Sequence, residues 1–188
     1  TDEGKKALVD GCVDVWAYYN NADEVELFVN GKSQGVRAKS DTTLHVMWRV
    51  HYEDGEAKVV ARKDGKVVRS SSLRTAGNPH SIRLTPDRTV IDADGQDLSF
   101  VTVEVVDSEG NLCPWADDLI RFDVTGGASV AGVDNGSPTS LERFKDNKRH
   151  AFYGKCLVVL RSNGSKGVIS LRAYADGLES AVVSLVAK

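Results

Sequence analysis

Apolar and polar residues alternate along most of this chain with a period of two. In Leu44-His45-Val46-Met47-Trp48-Arg49-Val50, the residues Leu44, Val46, Trp48 and Val50 fall on one face. Successive strand side chains point to opposite sides, so this segment is predicted as a half-buried strand with Trp48 turned to the core. Val25, Leu27 and Val29 alternate with Glu24 and Glu26 in the same way, and Asn30-Gly31 follows. Asn-Gly tolerates the positive φ of a tight turn, which predicts a hairpin there. Asp54-Gly55, Asp64-Gly65, Glu109-Gly110, Asn163-Gly164 and Asp176-Gly177 read as further turns.

Between these marks the alternation predicts strands over 13–19, 25–29, 43–50, 57–62 and 66–74. A second set covers 81–85, 98–106, 120–125, 129–133, 155–161, 168–175 and 180–186. Short strands at such spacing, with turn residues between them, indicate a sandwich or barrel rather than a parallel α/β sheet. Only 140–147 has a helical signature, a turn or two with Ser140 as N-cap. One break stands out at Thr75-Ala76-Gly77-Asn78-Pro79, where Gly and Pro interrupt sheet pairing and suit a linker. The expected organisation is therefore two domains, 1–77 and 78–188.

Composition narrows the classes without naming a function. The 188 residues are 41% hydrophobic and 27% charged, enough for an ordinary buried core. No apolar run approaches the ~20 residues of a spanning helix, so no membrane insertion is expected. A net charge of −3 leaves no electrostatic footprint for nucleic acid. The opening Thr1-Asp2-Glu3-Gly4-Lys5-Lys6 has no apolar leader, which fits a processed chain or, better, an excised fragment. Cys12, Cys113 and Cys156 lack C-x-x-C spacing. Cys156, inside a strand, reads as a buried structural thiol, and a Cys113–Cys156 bridge stays open as an alternative.

Chemistry is sparse. There is no Walker loop, dinucleotide fingerprint, His-Glu-x-x-His pattern or nucleophile elbow, and no catalytic, cofactor-binding or metal residue is assigned. His45, His51, His80 and His150 are scattered singly. Asp92, Asp94 and Asp97 resemble half of a calcium loop but lack the distal Glu, and a solvated turn is the favoured reading. Three tryptophans are candidate sugar platforms or partner anchors. Trp48 is expected in the core and Trp16 beside a cross-strand partner. Trp115, in Cys113-Pro114-Trp115-Ala116-Asp117-Asp118, lies in a loop and is the one exposed candidate for a carbohydrate or interface contact.

Val13-Asp14-Val15-Trp16-Ala17-Tyr18 and Asn21 through Ser33, with Trp48-Arg49-Val50 and Gly55–Ala61, resemble a β-sandwich domain found behind the catalytic barrel of bacterial family 2 glycoside hydrolases. The following stretch resembles their C-terminal immunoglobulin-like domain through Ile82–Arg88, Asp97–Val105, Gly132–Ser140 and Arg149–Lys155. The resemblance implies an all-β chain of two consecutive immunoglobulin-like antiparallel β-sandwich domains. It also implies a β-galactosidase-like parent, with the catalytic and other domains of that parent as partners and a periplasmic or secreted location. The family's acid/base sits in an Asn-Glu dipeptide on a barrel of ~250 residues. No Asn here precedes Glu. The expectation is a non-catalytic accessory region, with no cofactor, that packs against or spaces the barrel. The alternatives are a carbohydrate-binding module and a surface-adhesion segment.

Overall fold

The computed structural model describes residues 10–188; the Thr1–Lys6 opening lies outside the described residues. Among the described residues every regular element is a strand. The chain divides into two compact units, 1–75 and 76–188.

The first unit contains β1 (Cys12–Tyr18), β2 (Glu24–Val29), β3 (Lys32–Arg37), β4 (His45–His51), β5 (Glu56–Lys63) and β6 (Lys66–Arg74). A four-stranded sheet in the order β3-β2-β5-β6 faces a two-stranded sheet, β1-β4. The alternation explains the layering: Val25, Leu27 and Val29 of β2 meet Ala17 of β1 and Val46 and Trp48 of β4 in one small core. Trp48 is fully buried, and its indole N–H donates to the Gly35 carbonyl at 3.1 Å, so no polar atom of the ring is stranded. Asn30-Gly31 takes φ of 48° and 79°, as the hairpin signal requires. That turn folds Lys32–Arg37 onto β2, although the segment has no apolar alternation of its own. Strand β6 is exposed along its whole length, because the two-stranded sheet does not reach across it.

The second unit contains β7 (Ser81–Pro86), β8 (Val90–Ile91), β9 (Leu98–Val106), β10 (Leu119–Gly126), β11 (Ala128–Asp134), β12 (Lys148–His150), β13 (Lys155–Ser162), β14 (Gly167–Tyr174) and β15 (Ala181–Ala187). One sheet runs β11-β13-β9-β7 and the other β12-β10-β14-β15-β8. From β9 to β14 each strand lies in the sheet opposite its predecessor, an immunoglobulin-like Greek-key course. Val101, Val103 and Leu160 of one sheet close on Ile120, Phe122 and Leu171 of the other. The crossing from β10 to β11 passes through Gly126-Gly127. A Cβ on Gly126 would come within 2.0 Å of the Val168 carbonyl oxygen, so a side chain is excluded there.

One expectation is corrected and one open alternative is closed. Residues 140–147 form no helix; they run as an irregular segment beside β11, where the Phe144 carbonyl accepts the Val133 N–H at 2.8 Å. Glu142 in that segment is engaged by Arg149 and His150, and these tertiary bonds outweigh a weak local helical preference. The Cys113–Cys156 bridge does not form: both are free, buried thiols. Desolvation pushes Cys156 up to about 12, which keeps it a neutral packing group.

Candidate functional site

Trp115 projects from the loop between β9 and β10 and is 61% exposed. The loop beneath it is rigid. Asp107 Oδ1 accepts the backbone N–H groups of Glu109 and Asn111, and Oδ2 accepts the N–H of Gly77 and the Asn111 side-chain amide, all at 2.8–3.0 Å. Led by the Gly77 N–H, these donors hold the Asp107 carboxyl down to about 2. Cys113 anchors the other arm: its N–H donates to Val105, and its thiol points to the Gly77 carbonyl at 3.6 Å. Burial, with the charges of Asp107 and Asp118, pushes that thiol up.

The tight turn at Phe152–Lys155, which carries the chain from β12 into β13 of the opposite sheet, lies against the same loop. The Gly154 N–H donates to the Ala116 carbonyl at 3.0 Å, and a Cβ on Gly154 would fall 2.3 Å from the Cys113 carbonyl oxygen. Tyr153, held at φ 51°, is as exposed as Trp115, and its ring packs on Phe152 with centroids 4.5 Å apart. Sequence reasoning singled out Trp115 and missed Tyr153. Tyr-Gly ahead of a strand is the available signal, but the backbone contact joining the two loops spans too many residues to be read locally.

Behind this turn Arg149 is 1% exposed. Its guanidinium donates to Asn135 Oδ1 at 2.9 Å and to the Glu142 carbonyl at 3.2 Å, and lies 3.4 Å from Asp134 Oδ1. Nε lacks a hydrogen-bond partner, 3.6 Å from Glu142 Oε2. Arg149 thus clamps 135–147 against the sandwich.

A second aromatic surface lies on the first unit. The outward residues of β1 and β4 form four cross-strand rows: Tyr18 opposite His45, Trp16 opposite Met47, Asp14 opposite Arg49, and Cys12 opposite His51. Trp16 is 51% and Tyr18 69% exposed. The His45 ring sits against both, with centroids 4.3 Å from Trp16 and 5.1 Å from Tyr18. Trp16 does have the expected cross-strand neighbour, yet it stays largely open. The signal was present in Val13-Asp14-Val15-Trp16-Ala17-Tyr18, because period two places Trp16 with the polar Asp14 and away from the valines.

The remaining polar candidates are structural. Asp94 Oδ1 accepts the N–H groups of Gln96 and Asp97, and Asp97 Oδ2 accepts that of Asp92, so this acidic stretch is a turn locked by its own carboxylates. Those backbone donors lower the pKa of both acids. His80 faces Glu179, and His150 faces Glu142, which Arg149 and Ser140 also engage. Among the described residues no three His, Cys, Asp or Glu side chains gather as a metal site.

Two family models match this chain. Glycoside hydrolase family 2 C-terminal domain 5 covers residues 82–184, and a domain of unknown function (DUF4982) covers 10–69. Among curated proteins it is similar to the β-galactosidase BoGH2A of Bacteroides ovatus, 59% identical over 176 residues, which is 94% of this chain and 21% of that protein. Among solved structures it is similar to a glycosyl hydrolase family 2 member from Bacteroides cellulosilyticus, with a TM-score of 0.87 at 38% identity, covering 94% of this chain and 23% of the other. A β-glycosidase from Bacteroides vulgatus aligns with a TM-score of 0.89 at 29% identity, over 93% of this chain and 22% of its own. The chain therefore spans about a fifth of the length of these relatives.

Proposed function

The chain belongs to the glycoside hydrolase family 2 C-terminal domain 5 family, and from that premise we propose that it is a non-catalytic accessory region of a β-galactosidase-like enzyme, packing against or spacing the catalytic barrel of its parent. The observation that carries this reading is coverage: similarity runs through both units, yet accounts for only 21% of the β-galactosidase relative. Six of the described acids are already committed within the fold. The carboxylates of Asp94, Asp97 and Asp107 are engaged by their own loop backbones, and those of Glu26, Glu104 and Glu142 by neighbouring cations or hydroxyls. Glycoside hydrolysis instead needs two carboxyl groups free to face a bound sugar across ~5–9.5 Å. Sandwiches suit an accessory role because inner faces decide folding, leaving loops and outer faces free to dock.

On the same reading the parent is periplasmic or secreted, as the resemblance to exported glycan-digesting enzymes implies. The test of the accessory role is direct. The purified chain is assayed at high concentration against p-nitrophenyl β-galactoside, β-glucuronide and β-mannoside. No turnover is expected, and turnover that survives repurification overturns the reading.

A further inference from the structure

We propose that the outer face of β1–β4 is a glycan-binding platform, on which Trp16 and Tyr18 stack against the C–H face of a pyranose unit while Asp14 and Arg49 hydrogen-bond its hydroxyls. A pyranose is amphipathic in a particular way, with an apolar C–H face and a rim of hydroxyls that both donate and accept. The face of β1–β4 mirrors that division. Its Tyr18/His45 and Trp16/Met47 rows are aromatic and apolar, and the next row is an acceptor beside a donor. Asp14 and Arg49 stand 3.9 Å apart with their side chains about half exposed, too far for a hydrogen bond between them. The carboxylate lone pairs and guanidinium N–H groups are therefore open to a ligand.

The platform is also preorganised. Trp16 and Tyr18 stand on a strand whose other face, Val15 and Ala17, packs into the core opposite Val46 and Trp48 of β4. The His45 ring contacts those of both Trp16 and Tyr18, so less side-chain freedom is lost on binding. A protein partner fits this face less well than a glycan. Apolar protein surface closing over Asp14 and Arg49 would strip water from both charges without replacing its hydrogen bonds. Sugar hydroxyls replace them. The inference stands apart from the accessory reading, since a glycan platform and a lack of hydrolytic activity are read in separate experiments.

The test uses the full chain, titrated calorimetrically and by tryptophan fluorescence with β-1,4-galactotetraose, cellotetraose and xylotetraose. Saturable binding of at least one tetraose is expected, with Kd between about 10 μM and 1 mM. Trp16→Ala should weaken it at least about tenfold, equivalent to ~1.4 kcal/mol. Trp16→Phe should keep it within a few fold, and Tyr18→Ala and Arg49→Ala should each weaken it several-fold. Circular dichroism of each variant separates lost binding from lost folding. Absence of saturable binding to all three sugars up to about 10 mM overturns the proposal. So does binding that survives Trp16→Ala but is lost in Trp115→Ala, which moves the site to the second unit. Self-association of the wild-type chain that Trp16→Ala abolishes overturns it as well, by assigning the face to a protein contact.

Discussion

Replacing Arg149 by methionine isolates what its charge contributes, because methionine keeps the unbranched stem and removes the guanidinium. Breaking a buried, hydrogen-bonded ion pair by deleting one partner costs about 3–5 kcal/mol. Here the cost should fall near the lower end. Glu142 and Asp134 keep 29% and 49% of their side-chain surface exposed, so both acids rehydrate when the guanidinium leaves. Two charge-assisted bonds, to Asn135 Oδ1 and the Glu142 carbonyl, are lost outright. Arg149→Met is therefore expected to destabilise the second unit by about 2–3 kcal/mol. Arg149→Ala adds a cavity beside Phe144, whose ring lies 5.4 Å from the guanidinium carbon, for about 3–5 kcal/mol in all. A unit of roughly 110 residues holds about 5–15 kcal/mol, so both variants should still fold. Urea denaturation reads the loss, and amide hydrogen exchange should show protection falling first at Val133, whose N–H is bonded to the clamped segment. A methionine variant as stable as wild type, with Val133 still protected, would refute the clamp and leave 135–147 held by its backbone bonds to Phe122 and Val133 and by His150.

Three further outcomes follow from the same geometry. Asp107 is held at about 2 in the folded unit against an ordinary 3.8, so its stabilisation is complete above about pH 4 and is lost as pH falls through 2; Asp107→Asn should flatten that part of the urea midpoint against pH, and an unchanged slope counts against it. The native chain without reductant should show Cys12 reacting with a thiol reagent while Cys113 and Cys156 stay silent, and all three should titrate once it is unfolded; fewer than three reveals a disulfide. Trp48→Phe removes the bond to the Gly35 carbonyl and part of the packing under the Arg37 guanidinium, which should cost the first unit about 1–3 kcal/mol by chemical denaturation and raise exchange in β2 and β4.

Period-two alternation is a local property, so where it is present the sequence alone marked the strand and the face it buries. β9 lies over Leu98–Val106 as the pattern requires, Trp48 points inward for the same reason, and β6 occupies the expected Lys66–Arg74 without burying a face. Asn30-Gly31 and Asp64-Gly65 declared their hairpins through the positive φ they tolerate. β3 was announced only by the turn before it, and the other elements not foreseen are those whose reason for existing is distant. Two-residue β8 is a strand only because β15 supplies its parallel partner nearly a hundred positions later, and β12 only because it completes the edge beside β10. At 140–147 a helix gives way to contacts of Glu142 with Arg149 and His150, which lie beyond the reach of one helical turn. The candidate surfaces divide the same way. That Trp16 sits on the polar side of its strand follows from alternation. That the His45 ring lies against both Trp16 and Tyr18, and that Tyr153 stands on a turn bonded to the Trp115 loop, depends on contacts between residues far apart in the chain. Local sequence carries no energy term for such contacts, so only the tertiary structure could decide them.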